Sequence, residues 1–144
     1  MPKKLQLEMT TPERLVLEAR ADFVVLPAFE GEMGVLPGHA PFLVQLAPGE
    51  VRVTEEGILR CYAVSGGFAE IVGDKVSLFA ETAEMAEEID AERAQQALER
   101  AKVESSRKDI DSLTLAAVEA AMRRAEVRLR VAELRRAPSR HRSA

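Results

Sequence analysis

The chain has 144 residues, 31 % of them charged and only 4 % aromatic, with no Trp and a formal charge of −4. That length allows one ordinary domain or a small domain with an appendage, and a hydrophobic content of 47 % excludes a disordered chain. A lone cysteine, Cys61, makes no internal disulfide and is expected to pack as a small hydrophobe. One Cys and two distant histidines, His39 and His141, cannot form a zinc set, so no metal is expected.

The net charge hides an asymmetry. Residues 1–89 hold 7 Lys/Arg against 15 Asp/Glu, a balance of −8, whereas residues 90–144 hold 13 against 9, a balance of +4. The basic part suits an acidic partner or a phosphate. Nucleic acid is excluded as a partner by the acidic first part and an overall pI near 5.3. Lys3 and Lys4 lead straight into alternating residues, without the apolar core of a signal peptide. The longest apolar run, near Phe23–Phe29, is far below the ~18 residues of a spanning helix. No direct membrane insertion is expected: the chain is soluble, or held at a membrane only through a partner.

Along the chain, period-two alternation comes first. Leu5, Leu7 and Met9 share one face against Gln6 and Glu8, and Leu15, Leu17 and Ala19 repeat this against Arg14, Glu18 and Arg20. Val51 and Val53 oppose Glu50, Arg52 and Thr54; Val76, Leu78 and Ala80 oppose Lys75, Ser77 and Phe79. Such alternation predicts half-buried antiparallel strands. Turn signals at Pro48-Gly49, Glu56-Gly57, Ser65-Gly66-Gly67 and Gly73-Asp74 recur at the rhythm of a sandwich or barrel. The stretch Phe29–Pro41, with three glycines and two prolines, reads as one shaped loop carrying Glu32 at its tip. Glu81, Glu84, Glu87 and Glu88 read as a solvated acidic linker.

The pattern changes after Ile89, beyond which the chain has no Gly and only Pro138. Asp90 is a plausible N-cap for a helix to about Ser106. Arg107–Asp111 reads as a hinge before a second helix to about Arg136. Leu115, Val118, Met122, Ala125, Leu129 and Ala132 draw one apolar stripe on the second helix. Ala94, Ala97, Ala101 and Ser105, with Leu98 beside them, draw a small-residue stripe on the first, so the pair predicts an antiparallel hairpin. Three parts follow: a β domain over 1–88, a helical hairpin over 89–137 and a basic tail over 138–144. The fold class is therefore mixed, an all-β head with an α tail.

Three stretches carry a resemblance: GEMGVLPGHAP at Gly31–Pro41, SGGFAEI at Ser65–Ile71, and IDAERA at Ile89–Ala94 followed by RAEVRLRVA at Arg124–Ala132. In this order and spacing the chain resembles the epsilon subunits of bacterial F-type ATP synthases. The resemblance implies a flattened sandwich of about ten strands and a C-terminal helical hairpin. It implies a non-catalytic rotor subunit in the central stalk, on the cytoplasmic face of the plasma membrane. The implied partners are the gamma subunit, the ring of c subunits and, through an extended tail, the catalytic alpha/beta hexamer. The extended tail of that family inhibits ATP hydrolysis, and in some members ATP favours the folded tail.

The resemblance maps an ATP-sensing set onto Glu84, Ile89, Asp90, Arg93, Ala94, Arg100, Arg124 and Arg128, with ATP as a regulatory ligand and no required cofactor. It places His39 near the gamma subunit and Glu32 against the c ring. The residues themselves agree in part. Arg93 and Arg100 share a helical face, as do Arg124 and Arg128, and planar guanidinium groups match phosphate oxygens. The opposing reading is that Glu92, Glu99, Glu126 and Glu133 pair with these arginines on a solvated surface. Gly31 and Gly34 lack the spacing and the Lys of a phosphate-binding loop, and no nucleophile–base–orienter set can be assembled. The alternative to a rotor subunit is a freestanding ATP sensor.

Overall fold

The computed structural model describes residues 3–136, so the basic tail expected over 138–144, with His141, lies outside the described residues. The chain divides into two compact units, one ending at Met85 and one beginning at Ala86.

The first unit contains ten strands, the number expected. They are β1 (Leu5–Thr10), β2 (Leu15–Ala21), β3 (Phe23–Ala28), β4 (Gly31–Val35), β5 (Phe42–Leu46), β6 (Gly49–Glu55), β7 (Ile58–Val64), β8 (Gly67–Val72), β9 (Lys75–Ala80) and β10 (Ala83–Met85). The hydrogen-bonded order is β10-β7-β6-β3-β5-β8-β9-β1-β2, with β4 also on β3. β3 and β5 meet only through Ala28 and Leu46. The sheet folds over at that joint, giving one layer of β10, β7, β6, β3 and β4 and another of β5, β8, β9, β1 and β2. Neighbours are antiparallel except β1 and β9, which run parallel.

Period-two alternation does the packing. Leu5, Leu7, Met9, Val24, Leu26, Val51, Val53, Ile71, Val76 and Leu78 turn inward and form one buried cluster. Registered partners share the inward face, as Val24 does with Val53 and Ile71 with Val76. Cys61 is buried, as expected of a small hydrophobe. Gly67 shows where a side chain cannot fit: its φ is +127°, and an added Cβ would lie 2.0 Å from the Phe79 carbonyl oxygen.

Three expectations need correction. Leu15 does not share the inward face of Leu17. Met9 pairs with Leu17 but Thr10 pairs with Leu15, so a bulge at Val16 shifts the phase and turns Leu15 outward, 52 % exposed. The stretch expected as a loop from Phe29 is a strand over Gly31–Val35. Its glycines do not break it: Gly34 lies against the Phe23 ring, where an added Cβ would stand 3.0 Å from the nearest ring carbon, and Met33 and Val35 keep the inward phase. The acidic linker is likewise structured: Ala83–Met85 pairs with β7, and Ala86–Glu88 makes a 3-10 turn.

The second unit opens with that turn. Helix α1 spans Ala91–Ser105 and helix α2 spans Ser112–Arg136, packed on each other across the short connection between them. Asp90 Oδ1 accepts from the Arg93 N–H at 3.1 Å and caps α1, as the sequence predicts. Asp111 Oδ1 accepts from the Thr114 N–H at 2.7 Å and starts α2 in the same way. Ala94, Leu98 and Ala101 are buried on α1. On α2 the expected Val118, Ala125 and Ala132 are buried, but so are Val127 and Val131. The apolar arc is therefore wider than a single stripe towards the end of α2, and α2 packs there on the 3-10 turn as well as on α1.

Candidate functional site

Two groups of residues bear on function, one in each unit. On the sandwich, the pairing registers line up side chains across the outer face of the β5-β8-β9-β1-β2 layer. Phe68 pairs with Phe79, Phe79 with Thr10, and Thr10 with Leu15, while Gln45 lies on the other side of Phe68. Phe68, Phe79 and Leu15 are each more than half exposed, and Leu43 in the next row is 68 % exposed. Beside them opens a cleft of about 370 Å³ lined by Thr10, Thr11, Pro12, Gly67, Phe68, Phe79, Ala80 and Glu81. A row of exposed apolar side chains, interrupted only by Thr10, is a candidate interaction surface. Sequence reasoning missed it, although the signal was present: Phe68 and Phe79 stand in the polar phase of their strands.

Glu32 is not a free carboxylate on a loop tip. It lies on β4, and Arg52 on β6 donates to its Oε2. Arg52 also lies 3.5 Å from Glu50, and the bond to Glu32 raises the guanidinium above its ordinary pKa. His39 follows the tight turn Leu36–His39, its Nδ1 2.7 Å from the Ala40 carbonyl oxygen and its ring edge-on to Phe42.

Of the eight residues nominated for ATP, Glu84 lies on β10 in the first unit and the other seven belong to the second. Ile89 and Ala94 are buried, so they shape the hairpin rather than offer polar contacts. Asp90 spends one carboxylate oxygen on the helix cap. Arg93, Arg100 and Arg124 are exposed, and Arg128 is half-buried. Counted back from the turn at equal rise per residue, Arg93 falls level with Arg124, whereas Arg100 lies two turns, roughly 10 Å, nearer the hinge. Among the described residues no ion pair holds Arg93, Arg100 or Arg124, and Glu99 instead accepts from Gln95 at 3.3 Å. The carboxylates expected to neutralise these three guanidinium groups do not do so.

A sandwich with an exposed apolar strip, joined to a helical hairpin with exposed guanidinium groups, defines a protein that works by binding. The chain belongs to the ATP synthase delta/epsilon chain family: its beta-sandwich domain matches residues 4–86 and its long alpha-helix domain residues 87–133. An ATP synthase epsilon chain from Herpetosiphon aurantiacus is 47 % identical over 133 residues, covering 92 % of this chain and 96 % of that one. One from Carboxydothermus hydrogenoformans is 51 % identical over 108 residues, covering 75 % and 81 %. Among solved structures, a chain of the Euglena gracilis mitochondrial ATP synthase is 33 % identical with a TM-score of 0.77, covering 93 % of this chain and 83 % of its own. A chain of the Tetrahymena thermophila central stalk and c ring shares the fold at 13 % identity and a TM-score of 0.64, covering 92 % and 99 %.

Membership makes this chain a non-catalytic subunit of an ATP synthase, working within its rotor. No helix among the described residues is long and apolar enough to cross a membrane, and the complex supplies the association with one.

Proposed function

We propose that the head couples the rotor by binding the gamma subunit through the Leu15–Phe79–Phe68 strip and the His39 turn. The Glu32 hairpin rests against the ring of c subunits, on the cytoplasmic face of the membrane. The observation that carries the reading is the strip itself, since facing phenylalanines left exposed on a sheet face mark an interaction surface. Phe68→Ser with Phe79→Ser is expected to weaken gamma binding at least tenfold in calorimetry, as loss of aromatic anchors does, and to leave the melting temperature of the head unchanged. Native affinity in the double variant rejects the strip as the interface.

The hairpin acts as the brake, extending toward the catalytic hexamer in one state and folded in the other. Its small-residue packing supports this, because a shallow apolar face is exchanged between surfaces at little net free energy. Removal of residues 90–144 is expected to raise ATP hydrolysis by the assembled complex without preventing assembly. A truncated complex that hydrolyses no faster shows that the hairpin is not inhibitory.

ATP, when bound, takes its phosphates from Arg93, Arg124 and Arg128, with Arg100 at the margin and Asp90 on the ribose or base. Arg93, Arg100 and Arg124, exposed and without an ion-pair partner among the described residues, support this reading. Arg93→Ala is expected to weaken ATP by a charge-assisted bond, ~1.5–3 kcal/mol, in calorimetry. ATP binding without gamma binding favours the freestanding sensor; gamma binding without heat from ATP leaves the rotor role and removes the sensor.

A further inference from the structure

The segment between β4 and β5 is held from outside itself. Leu36, Pro37, Gly38 and His39 form a turn closed by the His39 N–H donating to the Leu36 carbonyl at 3.2 Å. Pro at the second position and Gly38 at the third, with φ of +86°, are what a type II turn demands. The Gly38 N–H takes no part in the closing bond. It donates instead to Asp74 Oδ1 at 2.9 Å, from 36 positions away in the chain. Asp74 stands in the turn between β8 and β9, and its own carbonyl accepts from the Gln6 N–H at 2.7 Å. One aspartate thus ties the His39 turn to the β8–β9 turn and to β1.

The imidazole is fixed in its turn. A carbonyl oxygen only accepts, so the 2.7 Å contact from Nδ1 to Ala40 requires the hydrogen on Nδ1. The neutral ring then has its lone pair on Nε2, and the edge-on Phe42 sets its plane. No described residue bonds to Nε2.

We propose that Asp74 is a positioning residue for His39, and that the ring so held offers Nε2 as an acceptor and selects a hydrogen-bond donor on the gamma subunit, such as a hydroxyl, amide or guanidinium. This rests on the reading of His39 as a gamma contact. The clamp is a property of the chain alone, so its failure and the failure of that reading are separable.

Nitrogen-15 NMR of the full chain at alkaline pH is expected to show the Nδ1–H tautomer of His39; the Nε2–H tautomer overturns the proposal. Asp74→Asn retains a carbonyl oxygen for the Gly38 N–H, and Asp74→Ala does not. Gly38 amide exchange is expected to quicken about tenfold in Asp74→Ala, the loss of one hydrogen bond, and to stay near native in Asp74→Asn. Gamma affinity, by calorimetry, is expected to follow the same order, weakened several-fold in Asp74→Ala and restored in Asp74→Asn. A native Gly38 exchange rate in Asp74→Ala overturns the clamp. For the donor, His39→Gln keeps an acceptor at the Nε2 position and is expected to bind gamma, whereas His39→Lys, with donors only, is expected to lose about tenfold. Equal binding by those two variants overturns the donor assignment, and native binding by His39→Ala removes the contact reading itself.

Discussion

The two units are built from different materials. The head buries Leu, Ile, Val and Met from strands distant in sequence, so its contacts are non-local and its core is deep. The hairpin buries mainly Ala and Val, with Leu98 the one large side chain buried on α1, and its contacts run between two neighbouring helices. A core of large side chains gains more from burial than a seam of alanines, about 0.8 kcal/mol per buried methylene. Less buried side chain therefore holds the hairpin's seam together than holds the head's core.

The predictions test that contrast in descending order. Gly67→Ala drives a Cβ into the Phe79 carbonyl at a φ that only glycine tolerates, and is expected to prevent native β8–β9 pairing, read as loss of the cooperative urea transition. Leu26→Ala opens a cavity in the fully buried core and is expected to cost about 2–5 kcal/mol by the same measurement. Asp90→Ala removes the α1 cap and is expected to cost about 1 kcal/mol, seen as faster amide exchange in residues 91–94 with the head transition unmoved. A shifted head transition in that variant breaks the contrast.

Asp111 gives a pH test with a definite sign. Hydrogen bonds from the Thr114 backbone and side chain hold its carboxyl below the usual aspartate range. Its contribution is therefore complete above that range and is lost as pH falls through the lowered native value. Helicity of the native chain is expected to drop over that acid window, and Asp111→Asn is expected to flatten the drop. The smallest effect is expected from Arg52→Ala, at most about 1 kcal/mol and shrinking with added salt, because the Arg52–Glu32 pair is partly exposed.

Much of the fold was legible because hydrophobic phase is written residue by residue. The strands around Leu7, Val53 and Leu78 announce themselves, and so do the capped start at Asp90 and the change of composition after Ile89. What stayed hidden depends on partners distant in the chain. Gly34 reads as a loop residue until the Phe23 ring is seen above it. The outward turn of Leu15 needs a bulge that only the pairing with Met9 and Thr10 reveals. Glu84 reads as linker because its strand is three residues long and borrows its order from β7. At the sites the same rule holds. The residue types of Arg93 and Arg124 are in the sequence, but whether Glu99 or Glu126 reaches them is decided by rotamers and helix faces. Asp74 was legible only as a turn residue, since its bond to Gly38 crosses half the head.

The parallel pairing of β1 with β9 also sets the order of assembly. β2 follows β1 directly in the chain, but the other edge of β1 has no partner until Lys75–Phe79 has been made. Until then Leu5, Leu7 and Met9 have half a core, and the sheet has an open edge in its middle. Closure joins segments some seventy residues apart, a loop whose ends are slow to meet. The head is therefore expected to complete its fold only when nearly all of it has left the ribosome, with β9 as the strand that closes it.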